Sequence, residues 1–222
     1  MALKDALDLL QSTSIVFAAL MAAYGLDAWR REYVGKRKME LAEEVLALCL
    51  ETREIISYIR SPGGFRGEGE TRKADLNEPE SVRLARNLAF VPIERHNQHL
   101  DKLNRLWALS YRYRAQFGDE AAKPIEDLRL AISKIKSSCH LLAMFWPARE
   151  TAPDVAAAEK LATLCAEHEA VIWENYGTEG KAPDDFTRSI DAAVTKITQT
   201  CRGVLESEHT LYAWINAKVT GR

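Results

Sequence analysis

Seven apolar residues, Ile125, Leu128, Ile132, Ile135, Cys139, Leu142 and Trp146, are separated by three, four, three, four, three and four positions. At 3.6 residues per turn a helix gathers all of them onto one stripe, whereas a strand, alternating faces at every residue, would scatter them. Pro124 just ahead suits a first turn, and Pro147 follows the end of the pattern. The same spacing recurs in Leu41, Val45, Leu48, Thr52, Ile55 and Ile59. It returns in Ile190, Val194, Ile197, Cys201, Val204 and Leu211, within a helix expected from about Asp184 to Val219. Asp154 is placed to cap a helix through Leu161, Cys165, His168 and Ile172 to about Tyr176. No stretch alternates as a strand would, and no internal repeat is visible.

Breaks in the pattern divide the chain. Ser61-Pro62-Gly63-Gly64 should stop the first helix, since Pro disfavours a helical predecessor and Gly ends helices. Residues 61–78 read as a flexible connection. Asn77, with Glu80 three residues on, has the spacing of a capping box for a second helix running to Phe117 and ending at Gly118. In that helix Leu100, Leu103, Trp107 and Ser110 are expected on the buried face, and Pro92 should kink or break it. The expected fold is all-α: a long N-terminal helix, membrane segment plus stalk, leading into an antiparallel bundle of four or five helices with coiled-coil-like seams.

The start of the chain sets the topology. Residues 9–26 carry no charge, and 15–26 are apolar on every side of a helix. A bilayer core takes about 20 such residues, with about 17 as the short limit. Between Ala28 and Lys38, Arg30, Arg31, Lys36, Arg37 and Lys38 face only Glu32, while ahead Lys4 is opposed by Asp5 and Asp8. Lys and Arg stay on the cytoplasmic side of a single-pass helix, so everything after the flank should remain there. Tyr24, Trp29 and Tyr33 stand where aromatic side chains collect at a lipid–water boundary. A cleaved signal peptide has its cations before the apolar run, the reverse of this order. Two other readings compete: a helix lying flat on lipid, and a helix buried in the core of a soluble assembly.

Composition constrains the rest. Apolar residues at 47% and charged residues at 28% fit a folded chain, and a net charge of −2 gives no general attraction to nucleic acid. Cys49, Cys139, Cys165 and Cys201 are far apart, form no CxxC pair and fall in apolar helical phases, as reduced core thiols in a reducing compartment would.

Candidate chemistry is sparse. Arg95, Lys102, Arg105 and Arg112 are expected on one helix face that could meet anionic lipid, phosphate or a protein partner. The bland alternative is a solvated face paired with Glu40, Glu44, Glu51 and Glu54 of the stalk. Gly63, Gly64, Gly67 and Gly69 with Arg66, Arg72 and Lys73 suggest a phosphate loop, but neither GxxxxGK[ST] nor GxGxxG is present. His168-Glu169 opens an HExxH-like string whose fifth position is Ile172, and Glu206 with His209 forms a single ExxH where a di-iron bundle needs two. His96 and His99 would need outside ligands. Trp173 and Tyr176 read as packing residues before pocket residues. No catalytic, cofactor or metal residue is assigned, and no small-molecule substrate is inferred.

The string from Trp29 to Leu46, WRREYVGKRKMELAEEVL, resembles one found in a group of uncharacterised bacterial proteins with an N-terminal membrane segment and a helical cytoplasmic region. Arg60-Ser61-Pro62 leading into Gly67-Glu68-Gly69, Ala115-Gln116-Phe117-Gly118 and Cys201-Arg202 extend the likeness. Pro92 departs from it. The resemblance implies anchoring and helicity and carries over no activity.

Together these readings lead to the expectation of a non-enzymatic, membrane-anchored interaction or scaffold protein. Residues 1–35 would form the anchor and its basic flank, with Trp29, Arg30, Arg31, Tyr33, Lys36, Arg37 and Lys38 at the interface of the inner (plasma) membrane. Residues 36–222 would be the cytoplasmic bundle, binding a protein partner or itself. The alternatives are a soluble homo-oligomer sharing its N-terminal helices and a metal- or ligand-binding helical enzyme.

Overall fold

The computed structural model describes residues 2–65, 67–176 and 183–206, with side chains from Thr13 onward. Among these residues every regular element is a helix and no strand occurs: α1 (Ala2–Ile59), α2 (Glu80–Gln98), α3 (Leu100–Phe117), α4 (Asp119–Glu150), α5 (Val155–Ile172) and α6 (Asp185–Leu205). The chain divides into two compact units. Glu44–Arg202 forms the larger, and the smaller includes α1 up to Glu43.

In the larger unit α4 packs against α2, α3 and α5. Its seam residues from Ile125 to Leu142 are all buried, as the spacing predicts. Trp146, half-buried, donates its indole N–H to Glu169 Oε1 at 2.6 Å, so its ring packs while its polar edge is satisfied. Val45, Leu48, Thr52, Ile55 and Ile59 of α1 and Ile190, Val194, Ile197 and Cys201 of α6 are buried as well. Each large apolar side chain taken from water stabilises the fold by about 1.5–3 kcal/mol. Asp154 caps α5 by accepting from Ala157 N at 2.7 Å, and Asp184 caps α6 by accepting from Thr187 N at 2.7 Å.

The structure departs from the sequence reading at several boundaries. Pro92 lies inside α2, buried, and the helix continues through it. The break comes at His99, where φ −116° and ψ 14° leave the helical range and the His99 N–H turns to His96 O at 3.1 Å. Two contacts hold that corner: the Tyr58 hydroxyl donates to Gln98 Oε1 at 3.3 Å, and the Tyr58 ring meets His99 edge-on at 5.6 Å. With the helix restarted there, Leu103, Leu106, Leu109 and Tyr113 face inward, while Leu100 is exposed and Trp107 and Ser110 are half-buried. Asn77 does not cap α2; Pro79 takes the N-cap position without a side-chain bond. Nor does Pro147 follow α4. The helix passes through it to Glu150, and the Thr151 hydroxyl then donates to Pro147 O at 3.2 Å. Pro124 stands beyond the first turn of α4, which begins at Asp119. Leu211 and the expected end of the last helix near Val219 lie outside the described residues.

Candidate functional site

Residues 13–37 of α1 carry large apolar side chains that are exposed. Ile15 is 62% exposed, Phe17 64%, Leu20 63% and Leu26 68%, with Val16, Met21 and Tyr24 above one half. At 100° per residue these positions spread over about 240° of the helix, so no single packing face could bury them all. Among the described residues no helix is long and apolar enough to cross a membrane. The charge-free stretch read from the sequence begins at Leu9, and the side chains of residues 9–12 lie outside those described.

Behind this segment the flank is ordered along the helix. Trp29 stacks on Tyr33 with ring centroids 5.8 Å apart, and the Arg37 guanidinium lies 5.0 Å over the Tyr33 ring. Arg31 pairs one turn back with Asp27 at 2.7 Å. Arg30, Lys36 and Arg37 are exposed, and Lys38 is half-exposed.

The four basic residues assigned to one face of the second helix separate. Lys102 pairs with Glu51 and Arg105 with Glu44, the acidic partners of α1 expected for a solvated face. Arg112 is exposed. Arg95 is only 1% exposed and holds the connection 61–78 in place. Its guanidinium donates to Glu68 Oε1 and Oε2 at 3.1 and 2.7 Å, to Ser61 O at 2.8 Å and to Gly63 O at 3.0 Å, and it stands over the Tyr58 ring. A buried guanidinium needs this many acceptors, and the loop carbonyls provide them. Among the described residues of the connection, Ser61, Gly63 and Glu68 are thereby tied to α2. Glu68 also accepts from Phe65 N at 2.8 Å, and the Arg95 guanidinium beside it holds its carboxyl below the usual range. Farther along, Glu94 accepts from Gly69 N, and Glu78 takes both Arg72 and Arg86. Gly69, at φ +83°, lies against Asn87, where a Cβ would come within 2.8 Å of the carbonyl carbon. Carboxylates of the chain itself thus occupy Gly69 N and Arg72, two donors a phosphate loop would offer a ligand; Arg66 lies outside the described residues.

A second buried arginine, Arg60, is also 1% exposed, and its role is not evident from its place before Ser61-Pro62. Its Nε donates to Val171 O at 2.8 Å, while its terminal nitrogens donate to Ala170 O at 3.0 Å, Thr187 Oγ1 at 2.7 Å and Asp184 Oδ2 at 3.0 Å. Phe186 covers it with a ring 4.7 Å away, and its own carbonyl accepts from Glu174 N at 2.7 Å. Burial alone would raise the Asp184 carboxyl, but the N–H groups of Thr187 and Asn175 and the Arg60 charge outweigh it and hold it below its usual range. Ser57 donates to Glu174 Oε2 at 2.7 Å, fixing the chain where α5 ends. The small cleft beside this cluster, lined by Arg53, Ser57, Arg60, Glu174 and Asp191 among others, has room for about one water. The cluster joins the end of α1, the end of α5 and the start of α6; its chemistry is structural.

All four cysteines are free and buried. Burial pushes the Cys49 and Cys139 thiols up to about 12 and raises Cys165 and Cys201, so none is a ready nucleophile at neutral pH. The Tyr113 hydroxyl lies 3.5 Å from Cys201 Sγ. His168 Nδ1 is 3.1 Å from Ser138 Oγ, His96 Nδ1 is 3.2 Å from Asn97 Oδ1, and His209 lies outside the described residues. Among the described residues no group of three or more His, Cys, Asp or Glu could hold a metal ion. Trp173 is buried and Tyr176 exposed.

The residues that sequence reasoning missed are Arg60, Glu68 and Asp184, along with the buried role of Arg95. A signal for Arg95 was present, since it falls one turn after buried Val91 in the apolar phase of α2. Comparison of the chain with protein families, with curated proteins and with solved structures returns no match.

Proposed function

We propose that the chain is a membrane-anchored helical interaction protein. In this reading residues 1–35 enter lipid as a single-pass anchor, and residues 36–222 form an antiparallel helical bundle on the cytoplasmic side that binds a protein partner or a second copy. The observation that carries it is the exposure of Ile15, Val16, Phe17, Leu20, Met21, Tyr24 and Leu26, spread over about 240° of the α1 circumference. At about 1.5–3 kcal/mol for each large side chain removed from water, leaving them wet costs on the order of 10 kcal/mol. Hydrocarbon covers such a helix from every direction, and the cations behind it resist transfer across the bilayer. The buried, protonated thiols suit a reducing compartment on the side of the bundle.

Alkaline carbonate extraction of native membranes tests the anchor. The protein should stay in the pellet and be released by detergent. Complete release by carbonate overturns the reading, and a discrete oligomer in detergent-free buffer would assign the same side chains to a core shared between copies.

A further inference from the structure

We propose that the cationic collar of residues 30–38 binds the phosphate headgroups of anionic phospholipids, fixing α1 at a negatively charged membrane face. This rests on the anchoring reading above and adds the lipid class to it. Arg30, Arg31, Lys36, Arg37 and Lys38 are opposed within the collar by Glu32 alone. Arg31 already has Asp27 as a partner, whereas Arg30, Lys36, Arg37 and Lys38 form no ion pair among the described residues. Lys102 and Arg105 of α3 differ in this respect, since each is matched to a glutamate.

The arrangement around the helix bears on the mode of contact. At 100° per residue Arg30, Arg31, Lys36 and Lys38 encircle the axis. A helix lying flat on lipid segregates its cations to one side; a ring of them suits a helix standing upright through the headgroup layer. Trp29, Tyr33 and Arg37, four residues apart, form one stripe in which the two rings stack and the guanidinium rests on the second. Amphipathic rings settle at the depth of the headgroups. A guanidinium held against a ring keeps its N–H edge free for two-point contact with phosphate oxygens. The exposed apolar segment immediately before the collar favours lipid phosphate over the phosphates of nucleic acid.

The full chain, diluted from detergent, is floated with vesicles of phosphatidylcholine alone and of phosphatidylcholine mixed with phosphatidylglycerol. The same is done with R30Q/K36Q/R37Q/K38Q, whose positions are exposed or half-exposed and whose glutamines suit a helix. Each cation near an anionic surface raises partition by about fivefold. Wild type should therefore favour the anionic vesicles by about tenfold or more at low salt, and both high salt and the variant should abolish the preference. Equal partition of wild type into the two vesicle types, or a variant that keeps the preference, overturns headgroup recognition while leaving the anchor standing. Flotation with neither vesicle overturns both readings.

Discussion

Replacing Arg60 with alanine removes donors to Val171 O, Ala170 O, Trp173 O, Thr187 Oγ1 and Asp184 Oδ2 in one step. The side chain is 1% exposed and that of Asp184 is 10% exposed, so water cannot readily take over these contacts. Breaking a buried ion pair by deleting one partner costs about 3–5 kcal/mol, because the remaining charge is left in poor solvent. Arg60→Lys keeps the charge but has no planar fork to reach so many acceptors, so its loss should be smaller, about 1–3 kcal/mol. Asp184→Asn removes the charge and weakens the α6 cap, whose usual value is about 1 kcal/mol. If the two residues act through each other, the double variant should lose less than the sum of the singles, with a coupling of about 0.5–3 kcal/mol. Denaturant unfolding of the full chain gives the energies. Hydrogen exchange at Glu174, Asn175 and Thr187 locates them, since these amides bond to Arg60 O and to Asp184. Arg60→Ala within about 0.5 kcal/mol of wild type, with unchanged exchange at these amides, would refute the reasoning.

Three further outcomes follow from the same physics. Arg95→Gln should free residues 61–78, increasing proteolytic cutting there and costing about 3–5 kcal/mol, whereas unchanged cutting would show that the guanidinium does not hold the loop. Gly69→Ala should cost at least about 1–3 kcal/mol, read from unfolding, because φ is +83° and the new Cβ meets the Asn87 backbone; a neutral result would contradict the close approach. The third is a dependence on pH, read from unfolding free energies across the range. Glu68 and Asp184 are depressed in the fold, so their contribution is present above the ordinary carboxyl value of about 4 and is lost as pH falls through their folded values. Cys49 and Cys139 are raised to about 12, so their contribution is intact below the free-thiol value of about 8.5 and is lost as pH rises toward 12. A flat alkaline limb would contradict their burial.

Helices were legible because the spacing of apolar residues follows directly from helical geometry, and the seam of α4 from Ile125 to Leu142 is buried throughout. Asp154 was legible as a cap because the bond it makes is local, three residues away. The pairing of Lys102 with Glu51 and of Arg105 with Glu44 followed from opposite charges on neighbouring amphipathic helices. The break at His99 was not legible, since Tyr58, forty residues earlier, makes the contacts that hold it. In α3 two apolar arcs share Leu103, one through Trp107 and one through Leu106 and Tyr113, and the restart at Leu100 selects the second. Arg60 looks like a surface residue from its charge, and for Arg95 only its phase one turn after Val91 argues otherwise. Only the fold brings carbonyls from distant segments around them, and a buried guanidinium is tolerable only with such partners. Part of the candidate site was visible beforehand in the charge-free stretch and its basic flank, while the stacking of Trp29 on Tyr33 under Arg37 needed the helix to be built.

The central claim is that the exposed apolar part of α1 lies in hydrocarbon. The four native cysteines are buried, so a cysteine introduced as L20C can be labelled with an environment-sensitive fluorophore, with R112C at an exposed position of α3 as the reference. In vesicles carrying a quencher midway along the lipid chains, the label at position 20 should emit to the blue and be quenched, and the label at position 112 should do neither. A label at position 20 that lipid quencher never reaches, in protein that forms discrete particles without lipid or detergent, would contradict the account.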